Sequence, residues 1–213
     1  MLNFAGARQW LAVCMLVAMP LAAMGQTSPA QKSEVATFAG GCFWCVESDF
    51  DKVDGVLSTV SGFMGGKTPN PTYKQVSAGG TGHAEVVQIT YDPARVTYQR
   101  LLDVYWRSVD PLDAGGQFCD RGDEYRTQIF THSPEQQRLA EASKAALDAA
   151  GRFDRKIATT ITPASQFTAA EEYHQDYYKK NPLQYRYYRF SCGRDARVKQ
   201  VWGDEAGGKV PTQ

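Results

Sequence analysis

The sequence has no apolar run approaching the roughly 20 residues that a membrane-spanning helix needs. Its N-terminal apolar stretch, Trp10 to Ala23, is broken by Pro20. It has no excess of either charge, with 23 Lys and Arg against 23 Asp and Glu. That balance removes the electrostatic reason to expect a nucleic-acid or anionic-membrane partner. Five cysteines in 213 residues are too few for a disulfide scaffold, so each thiol needs its own explanation. Cys42 and Cys45 form a close pair, but no second close pair completes a zinc site. No internal repeat or low-complexity tract interrupts the chain. What remains is 43% apolar and 12% aromatic, enough for one packed domain and too much for wholesale disorder.

The N-terminus reads as a targeting segment. Residues 1–25 carry Arg8, an apolar stretch of about 13 residues and the small-residue exit Ala23-Met24-Gly25, the pattern of a secretory signal peptide. Export, most naturally to a periplasm, is the expectation, with no stable membrane insertion after cleavage. Cys14 leaves with the signal, and Cys42, Cys45, Cys119 and Cys192 reach a compartment where disulfides persist. Residues 26–33 read as a linker, 34–202 as the catalytic domain and 203–213 as a flexible tail.

Within the domain, Val35–Ala39, Val56–Met64, Ala84–Tyr91, Arg126–Thr131 and Ile157–Ile161 read as strands, being short, β-branched and partly alternating. A helix begins near Cys42. Thr97 caps another through Trp106, and Ser133-Pro134-Glu135-Gln136 opens a third that stops at Gly151. Thr168-Ala169-Ala170-Glu171 reads as a capping box for a helix through about Tyr178. Strands and helices mix without strict alternation, which predicts an α+β fold: a mixed or antiparallel sheet with helices on one face.

Chemistry concentrates in three clusters. Gly40-Gly41-Cys42-Phe43-Trp44-Cys45 places a thiol where a strand turns into a helix. Unpaired backbone N–H groups at a helix start favour thiolate, so a lowered pKa is expected. Asn70-Pro71-Thr72-Tyr73 and Thr81-Gly82-His83-Ala84-Glu85 deliver an acid onto a strand, where burial would raise its pKa. The third, Cys119-Asp120-Arg121-Gly122-Asp123-Glu124-Tyr125, offers a thiol, a carboxylate and a phenol.

These motifs in this order, from about Val35 to Trp202, resemble the A-type peptide methionine sulfoxide reductases, in their Gly-Cys-Phe-Trp-Cys subgroup. The resemblance implies a ferredoxin-like two-layer sandwich with a long coiled C-terminal segment. It implies reduction of methionine S-sulfoxide, free or in proteins, by a monomer needing no cofactor or metal. By resemblance Cys42 is the nucleophile, and Glu85 protonates the sulfoxide oxygen. Tyr73 and Tyr125 share that oxygen's hydrogen bonding, and Asp120 supports the site through water or a tyrosine. Phe43 and Trp44 form the pocket for the substrate methyl group. The sulfenic acid left on Cys42 condenses with a second thiol. Cys192 ranks first for that step, with Cys45 nearly level and Cys119 behind. A thioredoxin-like protein then reduces the disulfide. Two positions depart from the usual pattern: Phe63 stands where many members carry tyrosine, and Glu124 replaces a common glutamine.

Rival readings explain less. A general CxxC thiol–disulfide oxidoreductase would need Cys45 and leave the second and third clusters idle. Glu171-x-x-His174 is half a di-iron motif and reads better as a solvated helix face. The aromatic and basic run from Tyr177 to Phe190 reads as a packed C-terminal wrap rather than an RNA-stacking surface.

Overall fold

A computed structural model describes residues 1–2 and 32–208. The expected signal peptide, most of the linker and the last five residues lie outside the described residues. In chain order the elements are β1 (Glu34–Gly40), α1 (Phe43–Phe50), β2 (Val56–Met64), α2 (Tyr73–Ser77), β3 (Ala84–Tyr91) and α3 (Tyr98–Trp106). Next come β4 (Gly116–Gln117), β5 (Asp120–Arg121), β6 (Thr127–Thr131), α4 (Pro134–Ala149), β7 (Thr160–Pro163) and β8 (Thr168–Ala169). Three helices close the chain: α5 (Tyr177–Lys180), α6 (Pro182–Ser191) and α7 (Arg194–Trp202).

The main sheet has the order β7-β6-β1-β3-β2-β8, antiparallel except for the parallel pair β6–β7. Its centre, β6-β1-β3-β2, joined through α1 and α3, is the split βαβ arrangement of a ferredoxin-like α+β sandwich. Strand alternation sorts the side chains into two layers. Phe38, Phe63, Val87 and Ile129 join the larger core with α1, α3 and α4. Their neighbours Ala39, Met64, Val86 and Phe130 form a smaller cluster covered by Ala164 and Phe167, which are coil rather than helix.

Local signals explain the helix starts. The Thr97 hydroxyl accepts from Arg100 N–H at 3.1 Å, and the Ser133 hydroxyl accepts from Gln136 N–H at 3.2 Å. Thr72 and Gln75 form a capping box that starts α2.

Two expectations are corrected. The Thr168–Glu171 capping box does not open a helix: residues 168–169 are an edge strand on β2, and 172–174 are a single 3₁₀ turn. The Glu171 carboxylate that would complete the box, and Gln175 beyond it, are used across the fold. Glu171 Oε1 accepts from Tyr73 N–H at 3.0 Å, and the Gln175 amide bonds to both backbone groups of Ser61. The expected flexible tail is held as far as Gly208. Glu205 bridges Arg107 and Arg152, and the Gly208 carbonyl accepts from Arg100 at 2.8 Å. Among the described residues no helix is long and apolar enough to cross a membrane.

Candidate active site

The site forms where β1 turns into α1. Gly41 adopts φ +81°, and a Cβ there would stand 2.6 Å from Gln117 Cβ, so glycine answers both backbone and space. Gln117 is itself fixed, exchanging hydrogen bonds with the Asp110 backbone at 2.9 and 2.8 Å. From the other side the buried Arg194 guanidinium donates to the carbonyls of Gly40 (3.0 Å) and Ser108 (2.9 Å). The turn that presents Cys42 is thereby clamped by two distant segments.

Cys42 is the N-cap residue of α1, but its side chain makes no capping hydrogen bond. It lines a cavity of about 70 Å³ together with Phe43, Trp44, Tyr73, Glu85, Asp120, Tyr125 and Tyr188. Every nucleophile, acid, phenol and pocket residue expected from sequence therefore meets at one place. A larger hollow of about 540 Å³ beside Lys52, Arg95 and Val96 contains no thiol and lies apart from this chemistry.

The expected lowering of the Cys42 pKa is not found. Burial pushes the Cys42 thiol well above its ordinary value, and the neighbouring Cys45 and Glu85 push it the same way. The thiol lines the cavity and makes no hydrogen bond to the amides of its own helix, so desolvation outweighs the helix terminus. Cys45 shifts the other way. Its hydrogen bond with Cys42 lowers it against the burial effect, with help from Arg194 and Arg189.

Glu85 is 2% exposed and pairs with Phe63 across β2–β3. It shares the strand parity of Val87 and Ile89, so it faces the helix layer beneath the start of α1. Its Oε2 accepts from Phe43 N–H at 2.9 Å. Burial raises its pKa to about 8; that hydrogen bond pulls back, and the charges of Asp120 and Glu124 add to the rise. Glu85 is thus mostly a neutral acid at pH 7, and the charge at Glu124, where glutamine is common, contributes to that. Burial also raises Tyr73 to about 12 and Tyr125 further, so both phenols stay protonated donors. Phe63 is fully buried and packs its ring 5.9 Å from Phe43.

The aromatic wall is anchored by residues that sequence reasoning placed elsewhere. His174, expected on a solvated face, is buried and accepts from Trp44 Nε1–H on Nδ1 at 3.1 Å. The Trp44 ring stacks on Tyr177 at 3.7 Å, and Tyr73 lies 4.2 Å from His174. Tyr188 was read only as part of the C-terminal wrap. Its hydroxyl donates a short hydrogen bond to Asp120 Oδ2 and also bonds to Cys42. The one signal that pointed to it was its i, i+4 spacing from Cys192, which places both at the same end of α6.

Cys119 and Cys192 form a disulfide, whereas Cys42 and Cys45 are free and buried. Sequence reasoning had ranked each of the other thiols as a resolving partner for Cys42 and had not paired Cys119 with Cys192. The disulfide adjoins the cavity, because Cys192 Sγ lies 3.8 Å from Asp120 Oδ2. Cys119, Asp120 and Cys192 are also the one cluster of potential metal-ligating groups found among the described residues, and the sulfur–sulfur bond occupies both thiols.

Comparison with known proteins identifies the family. The family model described as peptide methionine sulfoxide reductase matches residues 34–206. A Bacillus licheniformis peptide methionine sulfoxide reductase MsrA is 53% identical over 174 residues, covering 82% of this chain and 96% of the relative. One from Listeria monocytogenes is 55% identical over 169 residues, covering 79% and 96%. Among solved structures, Mxr1 from Saccharomyces cerevisiae in reduced form superposes with a TM-score of 0.65 at 36% identity, covering 73% of this chain and 88% of that one. Methionine sulfoxide reductase A of Corynebacterium diphtheriae gives the same score and identity, covering 74% and 78%. The family model covers most of the chain and the relatives exceed half identity over nearly their whole length, so the chain belongs to the A-type peptide methionine sulfoxide reductases.

Proposed function

We propose that this chain reduces methionine S-sulfoxide to methionine with Cys42 as nucleophile and Glu85 as the acid. One observation carries the assignment: a thiol and a neutral buried carboxyl share one small cavity with an aromatic wall. A sulfoxide has a basic oxygen, an electrophilic sulfur and a methyl group. The cavity offers an acid with two phenols, a thiol, and the Phe43 and Trp44 rings respectively.

Glu85 donates its proton to the sulfoxide oxygen, making the sulfur electrophilic. Cys42 Sγ attacks that sulfur, and its own proton passes to the Glu85 carboxylate left by the first transfer. The oxygen passes to Cys42, methionine departs as the thioether, and Cys42 is left as a sulfenic acid. Atoms balance, with one thiol oxidised and one sulfoxide reduced. Tyr73 and Tyr125 donate to the oxygen while it carries extra charge. The high pKa of the resting Cys42 thiol keeps it protonated until substrate arrives.

Cys192 resolves the sulfenic acid. Its thiolate displaces water and forms a Cys42–Cys192 disulfide, and Cys119 then attacks Cys192 to free Cys42. The Cys119–Cys192 bond beside the cavity is the support for this order. Cys45, 2% exposed on the inner side of α1, is left as the hydrogen-bond partner of Cys42. A thioredoxin-like dithiol protein reduces the final disulfide. The N-terminal segment supports export, with the enzyme working outside the cytoplasm, where a Cys119–Cys192 disulfide persists. The general CxxC oxidoreductase reading gives Glu85 and the phenols no task.

Single-turnover reduction of the two epimers of a methionine sulfoxide peptide tests the assignment. Wild type is expected to consume the S epimer only, and Cys42→Ser neither. Activity surviving in Cys42→Ser would sink it. N-terminal sequencing of the protein from fractionated cells tests export; a chain retaining residues 1–25 in the cytosol refutes it.

A further inference from the structure

Three large apolar side chains of α6 face solvent. Leu183, Tyr187 and Phe190 are 68%, 75% and 85% exposed. Their i, i+4, i+7 spacing sets them in one stripe. The same helix turns Tyr185 into the core and Tyr188 into the Cys42 cavity, so the stripe is not a helix failing to pack. A contiguous apolar stripe beside a reactive centre marks an interaction surface.

The stripe ends two residues before Cys192, the C-cap of α6, whose N–H donates to Tyr188 O at 2.9 Å. The two sulfurs of the Cys119–Cys192 bond differ. Cys119 is exposed and Cys192 half-buried. The backbone N–H of Cys119 points at Cys192 Sγ, 3.1 Å away. Asp120 does not distinguish them, lying 3.7 Å from one sulfur and 3.8 Å from the other. Thiol–disulfide exchange needs access to the attacked sulfur and proceeds faster when the departing sulfur is stabilised as a thiolate. Access selects Cys119 for attack. The N–H selects Cys192 for departure.

We propose that the protein reductant rests an apolar rim on the Leu183–Tyr187–Phe190 stripe and attacks Cys119 Sγ. This rests on the reading that a thioredoxin-like dithiol donor recycles the chain. The donor thiolate bonds to Cys119 Sγ, the Cys119–Cys192 bond breaks, and its electron pair leaves on Cys192, which takes a proton from solvent. The donor's second thiol, losing its proton, attacks the donor sulfur of the mixed disulfide. Cys119 leaves and is protonated. The donor ends as a disulfide and the chain gains two electrons and two protons. The occupant is a protein because a small dithiol needs only the exposed sulfur, while the stripe continues about 10 Å along α6 from it.

Two measurements test the proposal on the full chain. First, the oxidised protein is mixed with a thioredoxin whose second active-site cysteine is changed to serine, and the trapped adduct is mapped by proteolysis and mass spectrometry. The adduct is expected on the Cys119 peptide. An adduct on Cys192 overturns the choice of sulfur and leaves the donor reading standing. No adduct, together with turnover on dithiothreitol but none on any thioredoxin, refutes the donor reading and this proposal with it. Second, Tyr187→Glu and Phe190→Glu are expected to raise KM for thioredoxin at least fivefold and to leave dithiothreitol-driven turnover unchanged. Equal loss with both reductants, or no change with either, overturns the docking surface. So does conversion of a dimer to a monomer with thioredoxin KM unchanged, which would assign the stripe to self-association.

Discussion

Replacing Glu85 by Gln separates what the carboxyl does for chemistry from what it costs the fold. Glutamine keeps the shape and retains an oxygen to accept from Phe43 N–H, now at 2.9 Å from Oε2, but cannot ionise or donate an acidic proton. The folded protein holds Glu85 near pKa 8, against an ordinary 4.5. A group raised on folding stabilises fully below its unfolded pKa, and that stability is lost as pH climbs to the folded pKa. Wild type therefore loses stability between pH 4.5 and about 8 through this residue, while Glu85→Gln does not. At 1.36 kcal/mol for each tenfold change, the variant is expected to be more stable by on the order of 3 kcal/mol at pH 7. The gap should vanish near pH 4.5 and reach a plateau above pH 8. Its S-epimer reduction should fall by about 10²–10⁴-fold, the usual worth of a positioned acid. Urea denaturation of both proteins at half-unit pH steps, in a fixed oxidised state, reads the first effect; single-turnover kinetics reads the second. A stability gap independent of pH, or a variant less stable at pH 7, would refute the neutral buried carboxyl.

Other outcomes follow from the same geometry. Gly41→Ala forces a Cβ into Gln117 at φ +81° and should destabilise by about 1–3 kcal/mol, read from the urea midpoint, with kcat falling as Cys42 shifts. Arg194→Met leaves the carbonyls of Gly40 and Ser108 without their donor inside the fold, and should cost about 3 kcal/mol in the same assay. Cys192→Ser should release about one methionine per chain and then stop with thioredoxin as donor, whereas Cys45→Ser should continue to turn over; the reverse result would transfer the resolving role. Wild-type activity should decline as pH rises past about 8, where Glu85 loses its proton, and a rate that keeps rising there would contradict its acid role.

The sequence by itself determined the centre of the sheet and most of the site. Strong alternation and β-branched content placed β2 and β3 at their observed residues, and the Thr97 and Ser133 caps placed α3 and α4. These are local signals, satisfied within a few residues whatever the rest of the chain does. Cys42, Glu85, Tyr73, Tyr125, Asp120, Phe43 and Trp44 were legible through the resemblance of the motifs that carry them to the A-type reductases; local pattern alone singled out only Cys42. Tertiary structure decided what depends on distant partners. The Thr168–Glu171 capping box yielded because Glu171 and Gln175 found partners on α2 and β2. The Cys42 thiol was pushed up and not down because the residues that bury it come from other segments. Tyr188 and His174 entered the site only once the C-terminal helices closed over α1. Cysteine pairing was settled the same way: Cys119 and Cys192 stand 73 positions apart in sequence, and only folding brings their Cα atoms to 4.9 Å. A pattern along the chain records what a residue can do locally, while burial and long-range contact choose among those options.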